Sequence, residues 1–192
     1  MKKLRVFLAV IAVALFAPAL FAGDAELVKE LERTQAKLLA AVDGLSEAQW
    51  KYKPAPDKWS VAETFEHITT SEPFIRAMVA KSLETPAKEG SKKDEMVLKG
   101  VVDRSQKFKA PEPLQPTGKY ATAADALAEY RKERAETIKL AGGDADFRVQ
   151  GSDHFIFGPL DSHGWGLFLS AHSERHTLQI EEVKASEGFP KN

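Results

Sequence analysis

Two histidines lie four residues apart in the stretch AHSERHTLQIEEV, residues 171–183. Because an α-helix repeats every 3.6 residues, His172 and His176 would share one face of a helix. The same face carries apolar side chains: Phe168, Ile180 and Val183. Such a face packs into the core, where an unpartnered polar group costs about 1–3 kcal/mol. A divalent metal ion would satisfy both rings. Two surface or hydrogen-bonded core histidines are the alternative, and this helix alone does not decide.

A third histidine, His67, lies between Phe65 and Ile68 in a second stretch predicted to face the core. Three histidines from two facing helices of a bundle can hold a metal ion and leave one coordination position open. The zinc-protease motifs HExxH and HxxEH are excluded, because the glutamate of HSERH (172–176) is at neither required position. That residue, Glu174, is expected to face solvent.

Other polar residues are weaker candidates for chemistry. Gln179 lies one turn beyond His176 and could hydrogen-bond to a metal ligand or to its ring nitrogen. His154 is interpreted as a turn histidine beside Asp153, with a substrate-binding group or proton shuttle as the alternative. His163 is expected in the first turn of the last helix. The tryptophans are expected to be packing residues: Trp50, Trp59 and Trp165.

No residue can be assigned as the general acid or base. Glu63 is expected to belong to a capping box, and Glu66 points about 100° away from its neighbour His67 on a helix. Asp161 and Ser162 have the pattern of a helix cap, and no serine stands in a GxSxG motif, so a Ser-His-Asp triad is not predicted.

The first two elements that must hold these residues are amphipathic helices. Residues 24–43 predict a helix that ends at Gly44, followed by a proline-containing loop with one helical turn at Ser46–Trp50. The second helix begins at Ser60, where S-V-A-E fits a capping box. Pro73 is expected to kink or divide this helix.

The later segments complete an all-α architecture. A long connection over 84–121 is expected to contain a short helix at about 93–108. A third helix begins at Thr122 and ends at Gly142-Gly143. Loop or short extended structure over 147–160 then leads to a fourth helix, from Asp161 or Ser162 to about Ser186. The sequence shows no internal repeat and no convincing strand ladder. Four helices with one long crossover predict a four-helix bundle.

The segment 1–22 has the pattern of a secretory signal peptide, with Lys2, Lys3 and Arg5 before an apolar run and small residues after it. Cleavage is expected after Ala22, with Ala17-Pro18-Ala19 as a second candidate. A retained membrane anchor is the alternative, although the apolar run is short for a span. The absence of cysteine excludes a lipoprotein anchor.

Cleavage after Ala22 leaves one domain over 23–192, long enough for one buried core. It removes three of the 27 basic and none of the 28 acidic residues, so the formal charge becomes −4. That charge argues against a nucleic-acid partner. Without cysteines, the exported domain must be held together by packing alone. We expect a periplasmic or secreted protein with a small-molecule substrate and no stable membrane insertion after cleavage. A homodimer is the assembly considered, and the sequence does not decide the oligomeric state.

The chain resembles the DinB-like family, the damage-inducible, YfiT-type group of metal-dependent hydrolases. The resemblance is carried by PAPDKWSVAETFEHITTSE (54–72) and HFIFGPLDSHGWGLFLSAHSERHTLQIEEV (154–183). The family pattern is a Trp-Ser helix start with a later histidine, a glycine-containing turn and a late HxxxH helix. The matching residues, in order, are Trp59-Ser60 with His67, FGPL (157–160), and His172 with His176. The resemblance spans essentially the whole mature chain.

The resemblance implies a four-helix bundle with His67, His172 and His176 as ligands of a zinc or nickel ion between the second and fourth helices. It implies hydrolysis by a metal-activated water, with the substrate unknown. Metal-dependent thiol (S-)transfer and non-enzymatic binding of a metal or small ligand are the alternatives. Gly164 and Gly166 depart from the family pattern and are expected to widen the mouth of the pocket.

Overall fold

The computed structural model describes residues 23–191, so the predicted signal peptide over 1–22 lies outside the described residues. Four long helices dominate this part of the chain: α1 (Ala25–Val42), α3 (Val61–Ser82), α5 (Ala123–Ala141) and α6 (Ser162–Lys184). The connections contain α2 (Glu47–Lys51), α4 (Asp94–Val102), a 3₁₀ turn (Glu112–Leu114), β1 (Gly151–His154) and β2 (Gly158–Asp161).

The four long helices form the predicted four-helix bundle. α6 packs against α1 and α3, and α5 packs against the same two helices. The connection between α3 and α5, residues 83–122, is the long crossover, and its helix α4 packs on α6. Among the helices of residues 23–191, none has both the length and the apolar character needed to cross a bilayer.

Short polar side chains begin the helices where the sequence predicts them. Ser60 Oγ accepts a hydrogen bond from the Glu63 N–H, and the Glu63 carboxylate accepts one from the Ser60 N–H. Asp161 Oδ1 accepts a 2.7 Å hydrogen bond from the Gly164 N–H and begins α6. Each residue turns a helix by about 100°, so a fixed first residue determines which later side chains face the core.

Two features of the crossover side differ from expectation. Of the two effects expected of Pro73, division of the helix does not occur, because α3 is one helix of 22 residues. Beyond the proline, Arg76 bonds to Glu133 of α5 and Ser82 bonds to Ser162 of α6.

α4 ends at Val102, earlier than predicted. The Ser105 N–H, which would continue the helix, bonds to the Asp103 carboxylate instead, and Arg175 binds the carbonyls of Val101 and Asp103.

An antiparallel hairpin lies where the sequence predicted loop or short extended structure without a strand ladder. β1 and β2 pair from Gly151↔Asp161 to His154↔Gly158. Four-residue strands are too short to show a clear alternating pattern. Gly151 permits the pairing, because a Cβ there would lie 2.3 Å from the carbonyl oxygen of Leu160.

The bundle core has two apolar clusters separated by a buried polar layer. In that layer the Arg134 guanidinium bonds to the Glu72 carboxylate at 2.9 Å and to the Leu31 carbonyl at 3.0 Å. It also donates to Thr34 Oγ1, which lies 2.9 Å from Ser170 Oγ. This layer therefore links all four long helices.

Candidate metal centre

The structure brings together three histidines from two helices. His67 on α3 and His172 and His176 on α6 each offer a ring nitrogen, and these nitrogens all lie within 4.8 Å of one another. The His67 ring centroid is 5.2 Å from that of His172 and 4.5 Å from that of His176. The two α6 rings are 4.6 Å apart. Within residues 23–191, this is the group with the composition of a metal site.

Antiparallel packing of α3 and α6 explains the convergence. Ser82 Oγ donates a 2.8 Å hydrogen bond to Ser162 Oγ, so the last turn of α3 meets the first turn of α6. His67 lies roughly four helical turns before Ser82 on α3. On α6, His172 and His176 lie roughly three and four turns after Ser162. Because the rise per turn is the same in both helices, the three rings reach similar heights along the bundle.

Hydrogen bonds at Nδ1 set the tautomers of two rings. His67 Nδ1–H donates to the Leu114 carbonyl at 2.7 Å, and His176 Nδ1–H donates to Gln179 Oε1 at 2.9 Å. Both partners are oxygen acceptors, so Nδ1 carries the proton and Nε2 keeps its lone pair free for a metal. The predicted contact between Gln179 and a histidine ring is confirmed.

Gln179 is itself held in place by the crossover. Arg104 Nη1 donates to Gln179 Oε1 at 3.4 Å. Two further nitrogens of Arg104 bind the Glu182 carboxylate, at 2.6 and 2.7 Å. Because the amide oxygen accepts from both Arg104 and His176, the Gln179 amide is fixed with its oxygen towards the ring.

Burial keeps the three rings uncharged near neutral pH. It lowers the pKa of His67, and it lowers the pKa of His176 to about 3. Burial first, and then the neighbouring His176 and His67, place the pKa of His172 well below its ordinary value. Neutral imidazole is the form that binds metal ions, so the rings need not lose protons first.

Two aromatic side chains enclose the rings. The half-buried Trp59 ring lies 5.0 Å from the His67 ring and 6.5 Å from the His176 ring. Phe168, one turn before His172 on α6, lies 6.3 Å from the His172 ring. Trp59 is therefore a packing residue, as predicted, but it packs on the histidines themselves.

The donor set fits a divalent transition metal. Three imidazole nitrogens suit zinc, nickel and related ions, whereas magnesium and calcium prefer oxygen ligands. Three protein ligands also leave a coordination position free for water or substrate, as in catalytic zinc sites.

His154 lies outside this group, at the end of β1. Its Nδ1 accepts hydrogen bonds from the N–H groups of Ile156 at 3.0 Å and Phe157 at 3.4 Å. Burial lowers the pKa of His154 to about 4. The ring is therefore neutral with its proton on Nε2, and that buried atom has no hydrogen-bond partner among the described residues. The ring packs 4.4 Å from Phe168, which also contacts His172.

Three residues at the start of α6 act in packing. His163 is buried, with its Nδ1 2.5 Å from Asp24 Oδ2. A Cβ at Gly166 would lie 2.3 Å from the Leu27 side chain, so this glycine allows α1 to approach α6. A Cβ at Gly164 would lie 3.1 Å from the carboxylate that caps α6. The expectation that the two glycines widen a pocket mouth is therefore wrong.

Three glutamates close to the histidines in sequence are engaged elsewhere. Contrary to expectation, Glu174 does not extend into solvent but pairs with Arg33 and with Lys37 between α6 and α1. Glu63 serves the capping box. Glu66 accepts hydrogen bonds from the crossover. None of these three is free to transfer a proton at the histidines.

The fold and the site together are those of a helical-bundle protein with a candidate metal site formed by three histidines from two helices. The family model of the DinB superfamily matches residues 30–180, which include all three histidines. The chain belongs to the DinB superfamily, and the family resemblance seen in the sequence is confirmed.

Two Bacillus subtilis proteins are similar to this chain. The uncharacterized protein YuaE of strain 168 is 27% identical over 143 residues, which cover 73% of this chain and 86% of YuaE. The solved structure of YfiT matches with a TM-score of 0.58 at 19% identity, covering 86% of this chain and 87% of YfiT. YfiT is described as a probable metal-dependent hydrolase with an unusual four-helix bundle topology. At this identity, the likeness to YfiT shows the fold.

Proposed function

We propose that this protein is a metal-dependent hydrolase that binds a divalent ion, zinc or nickel, through His67, His172 and His176. The observation that carries the proposal is the convergence of three imidazole nitrogens within 4.8 Å, from two helices. Two of the rings have their Nδ1 protons fixed by oxygen acceptors, which leaves Nε2 free. The description of YfiT supports the same class of activity.

In this proposal, different side chains bind the ion, orient its ligands and exclude water. His67, His172 and His176 bind the ion, while the Leu114 carbonyl and Gln179 orient two of the rings. Trp59 and Phe168 exclude water from the sides that they cover. A divalent ion held there supplies Lewis acidity and acidifies a coordinated water, the chemistry of hydrolytic zinc sites.

His154 supplies a hydrogen-bond donor to the substrate in this proposal. Its Nε2–H is buried and unpartnered among the described residues, and a buried donor of this kind costs free energy unless a ligand satisfies it. The His154 ring packs 4.4 Å from Phe168, whose ring lies 6.3 Å from that of His172. A substrate carbonyl or phosphoryl oxygen is the expected acceptor. Gln179 is a positioning residue, since its amide oxygen is committed to His176 and Arg104.

We further propose that residues 1–22 are removed on export to the periplasm or the medium. The basic start and apolar run of residues 1–22 support this. Within the fold, Asp24 caps α1 through the Leu27 N–H and binds the buried His163. Cleavage after Ala22 leaves both contacts intact. The proposed partner is a small-molecule substrate. The negative formal charge of the cleaved protein disfavours nucleic acid as a partner. That the protein forms a homodimer stays a prediction.

The test is a hydrolysis assay on residues 23–192 with panels of ester, amide, lactone and phosphoester substrates. We expect turnover that a chelator abolishes and added zinc or nickel restores. His172→Ala should be inactive, while His163→Gln, a histidine variant away from the three rings, should retain activity. A protein that holds stoichiometric metal and hydrolyses none of the panel would contradict the proposal.

One observation favours a second candidate, a non-enzymatic module that binds a metal or small ligand. Glu63, Glu66 and Glu174 are all bound to other groups, so none of them supplies a general base. Tight metal binding without turnover on any substrate panel is the outcome expected of this candidate. Turnover that is lost in His172→Ala would reject it.

A further inference from the structure

The crossover supplies the groups that orient two of the three histidines. The Leu114 carbonyl accepts from His67 Nδ1, and Arg104 holds the amide of Gln179 against His176. Both contacts join the crossover to a distant helix, so their geometry depends on how firmly the crossover is held there.

A buried carboxylate beside His67 holds one end of the crossover. Glu66 is only 5% exposed. Its Oε1 accepts from the Thr117 N–H at 2.6 Å and from the Thr117 hydroxyl at 3.1 Å. Its Oε2 accepts from the N–H groups of Gly118 at 3.0 Å and Lys119 at 3.1 Å. All four donors belong to the crossover and follow shortly after Leu114 in sequence.

A buried guanidinium beside His176 holds the other end. Arg175 is 8% exposed. Its Nη1 donates to the Val101 carbonyl at 3.0 Å and also to the Asp103 carbonyl, and its Nη2 donates to the Gln106 carbonyl. These carbonyls flank Arg104, and the Phe108 ring lies 5.6 Å from the guanidinium carbon.

The two charged residues complement each other. Glu66 binds backbone N–H groups, and Arg175 binds backbone C=O groups, so each buried charge is satisfied by the crossover. A buried charge that loses its partners is strongly unfavourable, so these contacts specify one position of the crossover. Each residue also directly adjoins a metal-binding histidine in sequence, Glu66 before His67 and Arg175 before His176.

We propose that Glu66 and Arg175 are positioning residues of the metal centre, which clamp the crossover so that Leu114 and Arg104 hold His67 and His176 in their metal-binding orientations. The inference rests on the metal site of the proposed function, and it holds whether or not the site hydrolyses a substrate.

The experiment compares Glu66→Gln, Arg175→Lys and the milder Thr117→Ala with wild type. In Glu66→Gln, one carboxylate oxygen becomes an NH₂ group, so the side chain cannot accept all four hydrogen bonds from the crossover. In Arg175→Lys, a single ammonium group cannot reach all three carbonyls. Zn²⁺ affinity is measured by competition with a chromophoric chelator. Ligand geometry is measured by the visible absorption of the Co²⁺-loaded protein. Stability is measured by urea denaturation of the metal-free protein.

The matched control is Glu72→Gln, which alters another buried glutamate of α3. Glu72 pairs with Arg134 in the polar layer and has no hydrogen bond to the crossover among the described residues. We expect Glu66→Gln and Arg175→Lys to weaken Zn²⁺ binding roughly 10–100-fold and to shift the Co²⁺ spectrum. Thr117→Ala should give a smaller change in the same direction. Glu72→Gln should lower stability with Zn²⁺ affinity and the spectrum unchanged.

Two results would overturn the inference, and they are distinguishable. If the Glu66, Arg175 and Thr117 variants bind Zn²⁺ as wild type does, with the same Co²⁺ spectrum, the clamps are only structural and the metal site stands. If wild type itself binds neither ion, the proposed metal site fails and the inference fails with it. Should Glu66→Gln not fold, Thr117→Ala decides, because it removes one hydroxyl contact and leaves the carboxylate in place.

Discussion

The carbonyl oxygen of Leu114 lies 2.7 Å from Nδ1 of His67, although 47 residues separate them in sequence. A carbonyl can only accept, so this contact places the ring proton on Nδ1 and leaves Nε2 free. Nε2 is then the nitrogen of His67 available to a metal, and His67 offers a ring nitrogen within 4.8 Å of those of His172 and His176. The orientation of the His67 ring in the metal centre is thus determined by a backbone carbonyl of the crossover.

The amide of Gln179 should make a measurable contribution to metal affinity. Gln179→Ala removes the acceptor at His176 Nδ1, and we expect Zn²⁺ binding to weaken roughly 10–100-fold. Gln179→Glu keeps an oxygen acceptor and should bind Zn²⁺ at least as tightly as wild type. Chelator competition measures both. Equal affinities for the alanine variant and wild type would show that His176 does not need this contact.

The stability of the metal-free protein should decrease in mild acid. Burial lowers the pKa of His154 to about 4 and that of His176 to about 3, whereas an unfolded histidine titrates near about 6.5. Between these values the unfolded chain binds more protons than the folded one. The free energy of unfolding is therefore fully retained above about pH 6.5 and falls as the pH drops towards 4 and then 3.

Urea denaturation of chelator-treated protein at about pH 7, 6 and 5 measures this dependence. His154→Gln should lose less stability than wild type over that range, because it lacks one of the histidines whose pKa is lowered by burial. Parallel losses in the two proteins would show that burial does not keep His154 neutral.

The ion pair between Arg134 and Glu72 should be sensitive to removal of one partner. Both side chains are buried, with Arg134 Nε 2.8 Å from Glu72 Oε1. Arg134→Met leaves a buried carboxylate uncompensated, and we expect a loss of about 3–5 kcal/mol in the free energy of unfolding. Arg33→Met, at a half-exposed arginine, should change it by about 1 kcal/mol or less. Similar losses in the two variants by urea denaturation would contradict this distinction.

The exported form should begin at Gly23. The Asp24 N–H donates to the Ala141 carbonyl at 2.8 Å, and a Cβ at Gly23 would lie 2.7 Å from the backbone of Gly142. These contacts need nothing before Gly23. Mass spectrometry of protein from the periplasm or medium should give the mass of residues 23–192, and Ala22→Trp should leave the precursor uncut. Full-length protein in the membrane fraction would instead indicate a retained anchor.

Local patterns were sufficient to predict the framework of the site. The capping residues Ser60 and Asp161 begin α3 and α6, as the sequence indicates. Helical periodicity alone puts His172 and His176 on one face. Together with His67 on a second core-facing helix, this predicted the group of three rings that the structure shows.

The surroundings of the site depend on contacts between distant segments, which leave no local pattern. Leu114 and Arg104 reach α3 and α6 from a connection with few periodic residues, across 47 and 75 positions. Glu174 was expected to face solvent, but it pairs with Lys37 of α1 at 2.6 Å, across 137 positions of sequence. Gly166 gave no sign of its role, since only the position of α1 explains why a side chain does not fit there.

The most direct test of the account is X-ray absorption spectroscopy of the Zn²⁺-loaded protein, with elemental analysis of wild type and of the alanine variants of His67, His172 and His176. We predict one zinc per chain, three imidazole nitrogens at about 2.0–2.1 Å, and loss of the zinc in each alanine variant. An oxygen-only coordination shell, or full zinc content in any one of these variants, would contradict the three-histidine centre.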